Sequence, residues 1–327
     1  MTVTLADVAK RVGVSASTVS RALSSPDKVN PQTRQEIMAA VEAMGYVPNQ
    51  VAKSLNSGRR DALGIVVPDI ANPFFPPIIK AVQARAARLG HSVLISDSDE
   101  QTRDELGLVR ELVKRSDGVI VVSPRSDPGA LADLAAREVI VFINREIEGA
   151  VNVLIDDGVG VGQAVEHLHA LGHRRVCYLA GPARSWSNKV RRAAAREAAE
   201  RVGVELVEYG PFNPQMQAGV RAADLVVASG ATGVIAYDDL IASGLMLRLA
   251  QRGVSVPGDI SVIGVDNSAL SGMSYPTLTS VSVPCYDAGV TAVNIMNEHL
   301  SGKRVEPQTI QLETELVVRG STGDCPR

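Results

Sequence analysis

Aromatic side chains are scarce: four Phe, six Tyr and one Trp in 327 residues. A chain so poor in bulky rings is ill suited to a β-sandwich, whereas its abundant Ala, Val, Leu and Gly suit helices layered on parallel sheets. Cysteine is scarcer still. Cys177, Cys285 and Cys325 are odd in number, far apart and in no C-x-x-C pair, which argues against a disulfide framework or a zinc site and predicts reduced thiols in a cytoplasmic protein. Long apolar runs are missing too. Leu63–Pro68 and Val119–Val122 are strand-length, far below a membrane span, so no membrane partner is expected. Asp7 and Lys10 stand where a signal peptide would need its apolar core.

Enzyme signatures are also absent. No G-x-x-x-x-G-K-[ST] occurs, so phosphoryl transfer through a P-loop is unsupported. Gly158, Gly160 and Gly162 follow a strand-like run but are spaced G-x-G-x-G, not as a dinucleotide fingerprint, and are read as tight packing at a helix start. His169 and His173 are four apart, but Gly172 should end the helix between them, so helix-end caps are expected and no metal site. Nothing shows the context of a nucleophile elbow. No cofactor and no catalysis are expected.

What is present is an uneven charge distribution. Residues 1–60 hold eight cations against four acids, a surplus of +4 that leaves −7 for the remainder of a chain whose net charge is −3. A basic head on an acidic body is the layout of a nucleic-acid module joined to something else. Thr4 followed by Asp7 makes a capping box, and Leu5, Val8, Ala9 and Val12 then share one helical face. Gly13 stops that helix. Ser15 caps a second one to about Leu23, with Val19, Ala22 and Leu23 facing inward and Ala16, Ser17, Ser20 and Arg21 outward. A third opens at Asn30-Pro31 and closes at Gly45. Two short helices across a Gly-containing turn, with a small polar second helix, form a helix-turn-helix. Plain packing units share this pattern, but an outward face of hydroxyls and one Arg suits phosphates and base edges.

The segment Thr4–Leu23 resembles the N-terminal signature of the lactose/galactose-repressor family of bacterial transcription regulators. The resemblance continues in Gly45–Leu55, which is similar to that family's hinge, then in Asp69–Phe75, His167–Arg175, Leu179–Pro182 and Ser261–Asp266. Six strings in family order span essentially the whole chain. The resemblance implies three parts: a helix-turn-helix DNA-binding domain over 1–46, a hinge helix and linker over 47–60, and an effector-binding and dimerisation core over 61–327.

The body agrees with an α/β core. Strand-like runs near 62–67, 92–96, 118–122, 139–143, 152–156, 175–180, 233–236 and 260–265 alternate with amphipathic stretches near 74–89, 102–115, 157–171, 186–201, 214–228 and 239–251. About eight strands in two parallel sheets give two lobes, with a crevice at the strand C-terminal ends. The resemblance implies a periplasmic-binding-protein-like arrangement, with lobe 1 over 61–155 and 284–311 and lobe 2 over 156–283 and 312–320.

It also implies roles for single residues. Ala16 and Ser17 meet base edges, Arg21 reads a guanine, and Thr18, Ser20 and Asn49 hold phosphates beside the cap Ser15. The segment Asn49–Asn56 after Pro48 is too short to be a stable helix alone. By family resemblance it folds on DNA, where paired Leu55 side chains wedge into the minor groove and Ala52 keeps the two hinges close. Effector contacts are expected from Phe74 within Asn72–Phe75, and from Asn144, Ser187, Arg191, Phe212, Asp238 and Asp266, with Trp186 as a crevice neighbour. Asp238 stands where the family most often has Asn, and Asn267 where it often has Asp. The first departure bears on ligand identity, since a carboxylate suits adjacent hydroxyls or a cationic group.

The expected function is a ligand-responsive, sequence-specific repressor, whose affinity for a pseudo-palindromic double-stranded operator changes when a sugar or polyol binds between the lobes. A homodimer is expected, because no leucine heptad follows Val318–Thr322. The alternatives are a sugar-binding protein whose head no longer binds DNA, or an activator or co-repressor-dependent regulator.

Overall fold

A computed structural model describes residues 3–24, 26–46 and 60–326. The chain forms two compact units, Met1–Arg60 and Asp61–Arg327. In the first, α1 (Leu5–Val12), α2 (Ala16–Ser24) and α3 (Pro31–Met44) pack around Val8, Ala9, Val19, Ala22, Ile37 and Tyr46. The starts are set as the residues predict. The Thr4 side chain and the Asp7 carboxylate cap each other's backbone N–H groups, Gly13 ends α1 at φ 76°, and Asn30 with Pro31 opens α3. Ser15 Oγ accepts the Thr18 N–H at 3.2 Å. The expected hinge residues Asn49, Ala52 and Leu55 lie outside the described residues.

The second unit holds two six-stranded sheets, each covered by helices. The first has the order β11-β5-β4-β3-β1-β2, built from β1 (Ala62–Val67), β2 (Ser92–Asp97), β3 (Gly118–Val122), β4 (Ile140–Ile143), β5 (Val151–Asp156) and β11 (Gln308–Glu313). The second has the order β12-β10-β9-β8-β6-β7, from β6 (Arg175–Leu179), β7 (Glu205–Tyr209), β8 (Gly233–Ala236), β9 (Ser261–Asp266), β10 (Thr279–Ser282) and β12 (Glu315–Val317). The central strands are apolar and buried throughout, as a sheet covered on both faces requires. Among the described residues every pairing is parallel except β10 with β12.

The helices are α4 (Phe75–Arg88), α5 (Thr102–Arg115), α6 (Pro128–Ala135), α7 (Asp157–Ala170), α8 (Trp186–Val202), α9 (Met216–Ser229), α10 (Asp239–Gln251), α11 (Ala269–Met273) and α12 (Cys285–Leu300). None is long and apolar enough to cross a membrane. Helices α9 and α10 pack backbone to backbone: a Cβ on Gly219 would stand 1.9 Å from the Ile241 carbonyl oxygen, and one on Gly244 1.8 Å from that of Met216.

The chain passes between the sheets three times: from β5 into α7, from β10 into α12, and from β11 to β12. Thr314 ties the first passage to the third, because its hydroxyl donates to the Asp156 carbonyl at 2.6 Å and accepts the Gly160 N–H at 3.0 Å. Gly160 has no room for a side chain beside Val281 and Thr314, whereas Gly162 faces open space. Close packing therefore belongs to Gly160 and not to Gly162.

Several expectations are corrected. There are twelve described strands, not eight. The extra ones are short, hydroxyl-rich or at sheet edges, where one exposed face interrupts the apolar run: β7, β10, β11 and β12. The expected lobe boundary at 311 falls inside β11, which continues to Glu313. His173 is not a helix-end cap. It is fully buried, with Nδ1 2.8 Å from Thr232 Oγ1 and Nε2 3.1 Å from Ser261 Oγ and from the Gly323 carbonyl, so it fastens the C-terminal segment to β9. The three cysteines are free.

Candidate functional site

Strand ends bring polar groups from both lobes to one place. Asn72, Phe74 and Phe75 follow β1, Ser123 and Arg125 follow β3, and Asn144 follows β4. From the other lobe come Ser187 and Arg191 on α8, Tyr237 and Asp238 after β8, and Asp266 at the end of β9, with Pro214 beside them. Parallel strands point their C-terminal ends to one rim of a sheet, which is why residues distant in sequence meet here. Of the seven expected effector contacts, Phe74, Asn144, Ser187, Arg191, Asp238 and Asp266 line this cavity. Phe212 does not; it packs partly buried against the core of the second sheet. The free volume among these side chains is about 20 Å³, room for about one water, so a sugar-sized ligand requires the lining side chains or the lobes to move.

Backbone geometry at the rim is unusual. Ser123, Asn144 and Asp266 adopt φ of 47°, 57° and 107°, a region that costs side-chain-bearing residues about 1–3 kcal/mol. Asn144 Nδ2 donates to Ser123 Oγ at 3.2 Å and, across the crevice, to Ser187 Oγ at 2.8 Å.

Arg191 is the electrostatic centre. It is 2% exposed. Its Nη1 donates to the Tyr237 carbonyl at 2.6 Å, its Nη2 to Asp157 Oδ1 at 3.2 Å, and its Nε lies 3.0 Å from Asp157 Oδ2. Asp266 Oδ1 is 3.5 Å from Nη2. Burial opposes the Arg191 charge, yet Asp157 and Asp266 outweigh it and hold its pKa above the ordinary guanidinium value. Burial pushes Asp266 well above the usual carboxylate range against the pull of Arg191. Asp238 is pushed up to about 7 by burial, although it caps α10 by accepting the Ile241 N–H at 2.8 Å. Arg125 pairs with Glu100, and burial lowers its pKa.

Sequence reasoning missed Ser123, Arg125, Asp157 and Tyr237. Ser123, Asp157 and Tyr237 directly follow a strand, so a search of every strand end would have found them; Arg125 lies two residues further on. Trp186 lies not in this cavity but in a wider cleft of about 830 Å³ also lined by Arg145, Lys189 and Thr309. The Arg145 and Lys189 charges stand 5.8 and 5.2 Å from its ring centroid. One group of possible metal ligands occurs among the described residues: Asp61, His91 and Asp117, whose ligand atoms lie within 4.8 Å of one another. It sits at the opposite, N-terminal ends of β1, β2 and β3.

In the head, Ala16, Ser17, Ser20 and Arg21 are exposed on one face of α2, and Thr18 is half-buried. Ser15 Oγ lies 2.8 Å from the hydroxyls of Ser17 and Thr18, and Arg21 Nε donates back to the Ser17 carbonyl at 3.2 Å. A short polar helix face held in this way can be laid against base edges and phosphates.

A helix-turn-helix head followed by a two-lobed core with a buried polar cavity is the layout of a ligand-responsive transcriptional regulator. Residues 4–49 match the bacterial regulatory proteins of the lacI family, and residues 165–322 match the periplasmic binding protein-like domain. The chain is 32% identical to the HTH-type transcriptional regulator DegA of Bacillus subtilis (strain 168) over 98% of each protein. Among solved structures, the lac repressor dimer bound to operator and the anti-inducer ONPF matches with a TM-score of 0.90 at 28% identity, covering 99% of this chain and 100% of that one. The transcriptional regulator CelR in complex with cellobiose matches with a TM-score of 0.71 at 30% identity, covering 98% and 99%. The chain belongs to the lacI family of bacterial regulatory proteins.

Proposed function

We propose that this regulator works in the cytoplasm as a homodimer on a pseudo-palindromic operator and represses transcription there. Ala16, Ser17 and Arg21 face the bases, and Ser15, Thr18, Ser20 and Asn49 face the phosphates. The hinge segment 47–60 carries Leu55 as a minor-groove wedge and Ala52 at the closest approach of the two hinges. A sugar or polyol enters between the lobes, against Phe74, Asn144, Ser187, Arg191, Asp238 and Asp266, and changes operator affinity. A coupling of about 1–3 kcal/mol is enough for a several-fold to hundredfold change.

The observation that carries this reading is the convergence of both lobes on one buried polar cavity, bridged by Asn144 and Ser187. Because the cavity is too small for a sugar, ligand binding favours a more open arrangement, and a regulator needs such a two-state element. Lac repressor with ONPF and CelR with cellobiose support a sugar-like ligand by analogy.

The test is selection of bound duplexes from a random pool by the purified protein, with and without a panel of sugars and polyols. A two-fold site with a constant central step, weakened or strengthened by one additive, is the expected result. Failure to recover any site under every condition overturns the reading.

A further inference from the structure

The buried charges of the interlobe cavity do not balance. Arg191 is committed to Asp157 and to the Tyr237 carbonyl, and Arg125 is paired with Glu100. With Asp238 and Asp266 counted beside Asp157 and Glu100, four carboxylates face these two guanidiniums. Asp238 is 2% exposed; Oδ1 accepts the Ile241 N–H, the Asn72 side chain also reaches the carboxylate, and among the described residues no guanidinium forms an ion pair with it. The Asp266 side chain is 7% exposed, and its Oδ1 is ion-paired at 3.5 Å with Arg191 Nη2, which it shares with Asp157. Both residues line the same small cavity beside Phe74 and Tyr237.

A carboxylate offers only acceptors when ionised, and burying one without a partner is costly. A ligand that relieves this cost must bring donors and positive charge. A hydroxyl brings one donor and two further acceptors; an ammonium brings three donors, a charge of +1 and no acceptor. A carboxylate or phosphate ligand would add like charge where acids already outnumber guanidiniums, with Arg191 shared between Asp157 and Asp266 and Arg125 paired with Glu100.

We propose that the effector carries an amino group held by Asp238 and Asp266, so that its class is an amino sugar or aminopolyol and not a neutral sugar. This rests on the crevice being the effector site of the reading above. The remaining hydroxyls of such a ligand meet the Asn144 and Ser187 side chains, and its apolar face meets Phe74.

The experiment is calorimetric titration of the full-length protein with matched pairs: glucosamine and glucose, galactosamine and galactose, mannosamine and mannose, glucamine and sorbitol. The expected result is that the amine-bearing member of at least one pair binds about tenfold tighter or more, and that this gap closes in Asp238→Asn. Equal affinity within every pair in which either member binds, or preference for the neutral member, overturns the amine proposal and leaves the sugar-site reading standing. Binding by none of the eight compounds also overturns the amine proposal, while the sugar-site reading is decided by the operator selection described above. Asp266→Asn is the second variant, with circular dichroism confirming that each folds. An amine preference that persists in both folded variants also overturns the assignment.

Discussion

Asn144 of one lobe donates its side-chain amide to Ser187 Oγ of the other at 2.8 Å. Asn144 is held at φ 57° just after β4, and Ser187 lies in the first turn of α8, so the bond joins the rims of the two sheets. Both groups are almost fully buried. The bond exists only while the lobes are together, which makes it a contributor to the closed state.

Ser187→Ala is expected to favour lobe opening. One buried hydrogen bond contributes about 1 kcal/mol, equivalent to about a fivefold shift of an open–closed balance. Small-angle scattering of the ligand-free protein should show a larger radius of gyration than the parent. An unchanged radius would remove this bond from the closing contacts.

Asp238→Asn should stabilise the protein at neutral and higher pH. Burial raises the folded pKa of Asp238 from 3.8 to about 7. Between those values the folded state binds more protons than the unfolded state, so this group's contribution is fully present below about pH 4 and is lost as pH rises through about 7. Asn retains the carbonyl oxygen that caps Ile241 and removes the charge. The variant is expected to exceed the parent by about 2–4 kcal/mol at pH 8 and by nothing measurable at pH 4. Denaturant unfolding at the two pH values checks it, and a gain that does not depend on pH contradicts the cause given.

Arg191→Ala leaves Asp157 and Asp266 buried without their cation. Removal of one partner from such a pair costs about 3–5 kcal/mol. The loss should be larger at pH 8 than at pH 5, because protonation offers the stranded carboxylates a neutral form at acid pH. Thermal unfolding at both pH values measures it. Operator binding should survive at low temperature while the response to effector disappears; a normal response would take Arg191 out of the site.

Arg21→Ala should weaken binding of the selected operator by about 1–3 kcal/mol and relax the preference at one base pair of each half-site. Ser20→Ala should instead weaken all sequences about equally. Fluorescence anisotropy with wild-type and singly substituted duplexes separates the two. If Arg21→Ala lowers affinity uniformly, Arg21 is a phosphate contact.

Local chemistry made the head legible. The Thr4–Asp7 capping box, the Gly13 stop, the Asn30-Pro31 start and the 3.6-residue apolar spacing act over one or two helical turns, so sequence alone determined those three helices. Apolar runs determined the central strands by the same logic, because a strand buried on both faces has to be continuously apolar. The edge strands were hidden, since one exposed face makes β7 and β11 read as loops.

What the tertiary structure alone decided is which residues share the cavity and what each is left holding. Asp157, Arg191, Asp238 and Asp266 are up to about a hundred residues apart, and only the parallel stacking of strand ends brings them together. Whether a carboxylate is satisfied depends on distance, burial and the partner already taken by its neighbour. These are properties of a folded arrangement of charges, so no spacing in the sequence records that Arg191 is shared by Asp157 and Asp266 while Asp238 has no guanidinium paired with it.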